Sequence, residues 1–173
     1  MEHPKAAQRF AEYAGGDRRL TGIEQADGIK EGDIRVNLSQ TEKEALVAAA
    51  VKARENSYSP YSGYKVGAAV LTATGKTYTG CNVENAVHAP AICAERVAIA
   101  KAVSEGERVF VAAAVATSNG AYPCGVCRQA LREFCQNILV LVANAGGCWT
   151  EVVLTDLLPE SFGPEDVQRR QLE

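Results

Sequence analysis

The chain has 173 residues, 47% hydrophobic and 23% charged, which are ordinary values for one globular domain. Eighteen Lys and Arg against 21 Asp and Glu give a net charge of -3, which argues against a strongly polyanionic partner, because gripping a phosphate backbone draws on clustered positive charge. A chain of this length buries enough surface to fold without disulfides, so its six cysteines need another explanation. No stretch reaches the ~18 uncharged apolar residues of a membrane span, and the N-terminus shows no apolar export signal. A cytoplasmic protein with reduced thiols is expected.

Residues 1–38 are polar and mixed in charge, and read as an extension ahead of a single domain over 39–173. A short helix over 4–13 fits Pro4 in a first turn and the helical spacing of Ala6, Phe10 and Ala14. Ser39 with Glu42, and Thr41 with Glu44, form overlapping capping boxes ahead of a helix through 46–53. The β-leaning runs 65–72 and 76–83, joined by Ala73-Thr74-Gly75, predict a hairpin. A helix over 92–104, a strand over 108–117 and a helix over 124–135 follow. Then come strands over 138–143 and 148–154 around a turn at 144–147, a short helical turn beyond Thr155, and a polar tail. This order predicts an α/β domain with helices on both faces of one mixed sheet.

Chemistry concentrates at the starts of two predicted helices. Cys93-Ala94-Glu95 opens one and Pro123-Cys124-Gly125-Val126-Cys127 opens the next. Unpaired amides at a helix N-terminus favour the thiolate, the form that binds zinc, and Cys124 and Cys127 are spaced to point the same way. Three sulfurs leave a tetrahedron incomplete. A structural zinc site normally has four protein ligands, whereas a catalytic one keeps a position for water, so the count suggests catalysis. Glu95, two residues past the first ligand, is placed to carry protons. Three thiolates with Zn²⁺ total a charge of about -1, and Arg96 is placed to offset it through the sulfurs. The alternatives are a structural zinc knuckle or redox pair for the C-x-x-C, and a solvated helix charge for Arg96. Cys81, Cys135 and Cys148 lack paired spacing and read as small buried hydrophobes.

Four motifs carry a resemblance: Asn82-Val-Glu-Asn-Ala86, Ile92-Cys-Ala-Glu-Arg96, Pro123-Cys-Gly-Val-Cys-Arg-Gln129, and Leu157-Leu-Pro-Glu-Ser-Phe-Gly-Pro-Glu-Asp166. In this order, over about residues 40 to 167, they resemble the small, homotetrameric type of cytidine deaminase. The resemblance implies a three-layer α/β/α fold with a mixed five-stranded sheet and one zinc per subunit. It also implies hydrolysis of cytidine and 2'-deoxycytidine to uridine and 2'-deoxyuridine with release of ammonia, a reaction of pyrimidine salvage. Glu95 would take a proton from metal-activated water, protonate N3 of the base, and deliver a second proton to the leaving amine. Ala94 would add a backbone hydrogen bond.

The resemblance further assigns Asn82 and Glu84 to the ribose 3'-hydroxyl, Tyr64 to the face of the base, and the loop 85–91, with Ala86 and His88, to the pocket wall. His88 stands where the family usually has Tyr, and a lone His is more often structural, so it is given no chemistry. Phe162 would reach a neighbouring subunit's pocket. Read from residue type alone, Asn82 and Glu84 are favoured as turn-stabilising residues, and Tyr64 and Phe162 suit a core. Two other functions compete. One is a deaminase of a related aminopyrimidine nucleoside such as blasticidin S, or of polynucleotides. The other is a non-enzymatic zinc-stabilised binding protein, which would need a fourth protein ligand. Neither a nucleic acid nor a membrane is expected as a partner.

Overall fold

A computed structural model describes residues 37–169. The helix expected over 4–13 lies outside them. The first helix, α1 (Gln40–Arg54), is capped by Ser39, whose hydroxyl accepts from the Glu42 amide while the Glu42 carboxylate accepts from the Ser39 amide. Of the two overlapping boxes, only Ser39 with Glu42 forms. Thr41 is already inside the first turn, where it cannot hold the extended backbone that a cap needs. Leu38, placed by its sequence in the extension, is buried with Leu46 and Val47 and belongs to the domain's core.

The remaining elements are β1 (Gly67–Thr72), β2 (Thr77–Cys81), α2 (Ala94–Ser104), β3 (Phe110–Thr117), α3 (Gly125–Arg132), β4 (Leu139–Asn144), β5 (Trp149–Val153), α4 (Leu154–Leu157) and α5 (Pro164–Arg169). Several are shorter than the sequence suggests. Strand β2 stops at Cys81 rather than 83, because the Asn82 side chain is committed to the neighbouring loop. Helices α2 and α3 begin one residue after Cys93 and Cys124, which take extended cap conformations. Helix α3 ends at Arg132, not 135. The segment read as a polar tail contains α5, whose start carries Pro164, Glu165 and Asp166, with the Asp166 carboxylate accepting from the Gly163 amide.

The sheet order is β2-β1-β3-β4-β5. Pairs β1–β2, β1–β3 and β4–β5 are antiparallel, while β3–β4 is parallel, joined by the crossover that contains α3. Both faces are covered, so β1 and β3 are buried along their whole length. On one face α1 sets Leu46, Val47 and Ala50 against Ala69, Leu71, Ala112, Ala114, Leu141 and Ala143. On the other, Ala98, Ile99 and Ala102 of α2, with Leu131 and Leu154, cover Val70, Ala113, Val140 and Val142. Neighbouring strand residues serve opposite layers, as a period of two requires. The result is the expected three-layer α/β/α arrangement around one mixed sheet.

Two glycines set how closely helices approach this sheet. A Cβ on Gly67 would stand 2.1 Å from the Ala50 carbonyl, and one on Gly80 2.3 Å from the Ala94 carbonyl. Gly80 thus lets the first turn of α2 settle directly on β2. That turn carries Cys93 and Glu95.

Candidate metal and substrate site

Cys93 and Cys124 are the N-caps of α2 and α3, and neither uses its side chain to cap its helix. The sulfurs converge instead. Sγ of Cys93 and Cys124 are 3.9 Å apart, those of Cys124 and Cys127 3.6 Å apart, and all three lie within 4.8 Å of one another. A tetrahedral ion with metal–sulfur bonds of about 2.3 Å sets its sulfurs about 3.8 Å apart, so the spacing suits zinc. Among the described residues no fourth His, Cys, Asp or Glu joins this group. Cys81 and Cys135 turn their thiols to the Asn56 and Leu131 carbonyls instead. One corner of the tetrahedron is left for a non-protein ligand, as catalytic zinc sites require.

The Cys93 sulfur is met by three donors. Hydrogen bonding from the Cys127 thiol, then from Arg96 and Cys124, outweighs burial and holds its thiol down to about 5. The same bond and burial push the Cys127 thiol up. Arg96 reaches this position from one turn further along α2: Nη2 lies 3.8 Å from Cys93 Sγ and donates to the Ala91 carbonyl at 3.3 Å. Arg128 braces the other ligand turn, its Nε donating to the Pro123 carbonyl at 2.7 Å and its Nη1 to the Leu157 carbonyl at 2.6 Å.

Beside the sulfurs opens a cavity of about 390 Å³ whose wall includes Tyr64, Asn82, Glu84, Cys93, Glu95 and Cys124. Glu95 is buried, with 4% of its surface exposed, and burial is the main cause raising its carboxyl above the usual range. A carboxyl that gives up its proton less readily than usual, facing both the ligands and a cavity, suits two-way proton transfer. Ala94 is fully buried, not a wall residue.

Asn82 and Glu84 hold a turn and also line the cavity. Asn82 Oδ1 accepts from Ser57 Oγ at 2.6 Å and from the Val66 amide at 2.8 Å, while Nδ2 donates to the Tyr64 carbonyl at 2.9 Å. Glu84 accepts from the Tyr61 and Ser62 amides and from the Ser62 hydroxyl, and these bonds hold its carboxyl below the usual range. The pair fastens the loop over 57–66 and also presents its side chains to the cavity.

Ala91 and Ile92 line that cavity, whereas Ala86 and His88 do not. His88 sits at φ +63° with its ring edge-on to Tyr61, the centroids 6.0 Å apart. Phe162 is 60% exposed and lies beside α3, where its carbonyl accepts from Gln129 Nε2. It is not part of this cavity. Ser62, Thr117 and Tyr122 also line the wall, and the sequence reading did not single them out. Tyr122 was the most accessible of them, two residues ahead of Cys124.

Residues 40–143 match the family model of the cytidine and deoxycytidylate deaminase zinc-binding region. A cytidine deaminase of Sporosarcina psychrophila is 46% identical over 127 residues, covering 72% of this chain and 93% of that protein. A second, from Halalkalibacterium halodurans, is 42% identical over 129 residues, covering 73% and 98%. The crystal structure of cytidine deaminase from Burkholderia pseudomallei aligns with a TM-score of 0.67 at 41% identity, covering 72% of this chain and 100% of that one. With three thiols at zinc spacing and a buried glutamate on the same cavity, the chain belongs to the zinc-binding cytidine and deoxycytidylate deaminase family.

Proposed function

We propose that the protein hydrolyses the exocyclic amine of cytidine and 2'-deoxycytidine, releasing ammonia. The observation that carries this reading is Glu95, buried in the wall of the cavity beside Cys93 and Cys124. Zinc held by Cys93, Cys124 and Cys127 supplies the Lewis acidity that makes water a nucleophile near neutral pH. Everything else falls to the chain's own residues. Glu95 accepts a proton from the attacking water, delivers it to N3 as C4 is attacked, then takes the remaining proton from the new C4 hydroxyl and passes it to the amine, so that the C4–N bond breaks, ammonia leaves and the C4 carbonyl forms. Tyr64 flanks the base. Asn82 Nδ2 donates once, to the Tyr64 carbonyl, and keeps a second hydrogen for a sugar hydroxyl. Glu84 accepts from the same sugar edge. A grip on the 3'-hydroxyl leaves the 2' position unread, so both sugars are substrates.

The test is an ultraviolet assay of purified protein against cytidine, 2'-deoxycytidine, CMP and blasticidin S. Turnover of the first two at comparable kcat/KM is expected. Blasticidin S as the better substrate would overturn the nucleoside reading.

The working unit is a homotetramer in which Phe162 of one subunit completes a neighbour's cavity. Its 60% exposure, in a segment tied to α3 through Gln129 and Arg132, supports this. Phe162→Ala should raise KM for cytidine or loosen the tetramer in sedimentation. An active monomer would overturn it. No helix among the described residues is long and apolar enough to cross a membrane.

A further inference from the structure

Tyr64 is fastened at both ends. Its amide donates to Ser62 Oγ at 3.0 Å and its carbonyl accepts from Asn82, while its hydroxyl donates to Asn119 Oδ1 at 2.7 Å. Asn119 belongs to the loop between β3 and Cys124, and that loop is itself braced. Thr117, 3% exposed at the end of β3, accepts from the Ala121 amide at 2.8 Å and donates its hydroxyl to the same Asn119 oxygen at 3.2 Å. One amide oxygen therefore joins the wall that carries the aromatic ring to the wall that leads into a metal ligand. Asn119 is not itself a wall residue of the cavity. It reaches the cavity through the two wall residues it bonds, Tyr64 and Thr117, and of these only Tyr64 carries a ring that can flank a base.

We propose that Asn119 is a positioning residue for substrate binding, holding the Tyr64 ring in place as one wall of the base pocket. The proposal rests on the reading of Tyr64 as the residue that flanks the base. Tyr64 is 37% exposed, and its hydroxyl is the point at which the far end of the ring is tied by a hydrogen bond. Released from Asn119, the ring gains access to other staggered rotamers directed toward solvent, and each binding event must order it again. The loss falls on binding, because the ring touches none of the atoms that react.

The experiment measures kcat and KM for cytidine in the zinc-loaded protein with Tyr64→Phe, Asn119→Ala, the double variant, Asn119→Asp and Tyr64→Ala. A tether of one hydrogen bond is worth about 2- to 10-fold in KM. Tyr64→Phe and Asn119→Ala should each raise KM by that factor with kcat moving less than about twofold. The double variant should be no worse than either single one, and Asn119→Asp, which keeps an acceptor, should stay near wild type. Tyr64→Phe keeps the ring and leaves the 117–121 loop intact, so it decides the matter even if Asn119→Ala folds poorly. A raised KM in Tyr64→Ala with wild-type values in Tyr64→Phe and Asn119→Ala would overturn the tether while keeping Tyr64 at the base. Multiplying effects in the double variant would also overturn it. A wild-type KM in Tyr64→Ala would overturn the base-pocket reading and the tether together.

Discussion

Arg96 Nη2 lies 3.8 Å from Cys93 Sγ, and the same nitrogen donates to the Ala91 carbonyl at 3.3 Å. One guanidinium thus touches both a metal ligand and the backbone just ahead of it. With three thiolates around a divalent ion, this guanidinium would supply compensating positive charge. Arg96→Gln should weaken zinc binding about 10- to 100-fold, read by competition with a chromophoric chelator. Arg96→Lys should restore it only in part, since an ammonium does not reproduce the planar fork. Undiminished affinity in Arg96→Gln would remove Arg96 from the site's electrostatics.

Glu95→Gln preserves shape and hydrogen bonding while removing the proton acceptor. It should retain one zinc per chain by elemental analysis and lose at least ~100-fold in kcat, because general acid–base catalysis is typically worth 10² to 10⁴. Near-normal turnover in a zinc-loaded variant would refute the proton-carrying role.

Away from the cavity, buried Glu107 locks the β1–β2 hairpin, accepting from Thr74 Oγ1 at 2.9 Å and pairing with Lys76 Nζ at 3.0 Å. The hydrogen bond to Glu107, with the charges of Tyr78, Glu107 and Glu105, raises the Lys76 ammonium above its usual 10.5. A base raised in the folded state stabilises fully below its unfolded value and loses that contribution as pH climbs through the folded value. Tyr78, whose hydroxyl donates to Glu105, is itself raised above 10.0, chiefly by burial, and titrates in the same alkaline range. Glu107→Gln should lower the melting temperature by about 2–4 °C at pH 8. The gap from wild type should stay constant up to about pH 10 and narrow above it. A gap that widens in alkali would contradict the pairing.

Among the described residues no Lys or Arg stands in the wall of the 390 Å³ cavity, whereas Glu84 does, its carboxyl held below the usual range by the Ser62 hydroxyl and the Tyr61 and Ser62 amides. A 5'-phosphate beside that wall meets repulsion with nothing to offset it. CMP and single-stranded DNA should be at least ~10-fold poorer than cytidine in kcat/KM at physiological salt. CMP as the better substrate would undo the assignment of Glu84 to the sugar.

What the sequence determined by itself is local. The three thiols lie at the starts of predicted helices, and residues three apart on a helix share a face, so Cys93, Cys124, Cys127 and Glu95 could be read without tertiary structure. The capping box at Ser39 and the alternation along the strands likewise reflect interactions within a few residues. Contacts between segments far apart in sequence required the fold. Nothing in residues 117–121 announces that Asn119 meets the Tyr64 hydroxyl, 55 positions earlier. Asn82 ends β2 early because its amide is committed to Ser57, Tyr64 and Val66, groups brought to it by the return of the chain after α1. Gly80 reads as a weak strand residue until the Ala94 carbonyl is seen where its Cβ would be. Sequence spacing specifies which groups can cooperate within one element. Only packing of elements against each other decides which groups meet across the chain, because those contacts depend on the sheet order β2-β1-β3-β4-β5 and on how closely each helix approaches it.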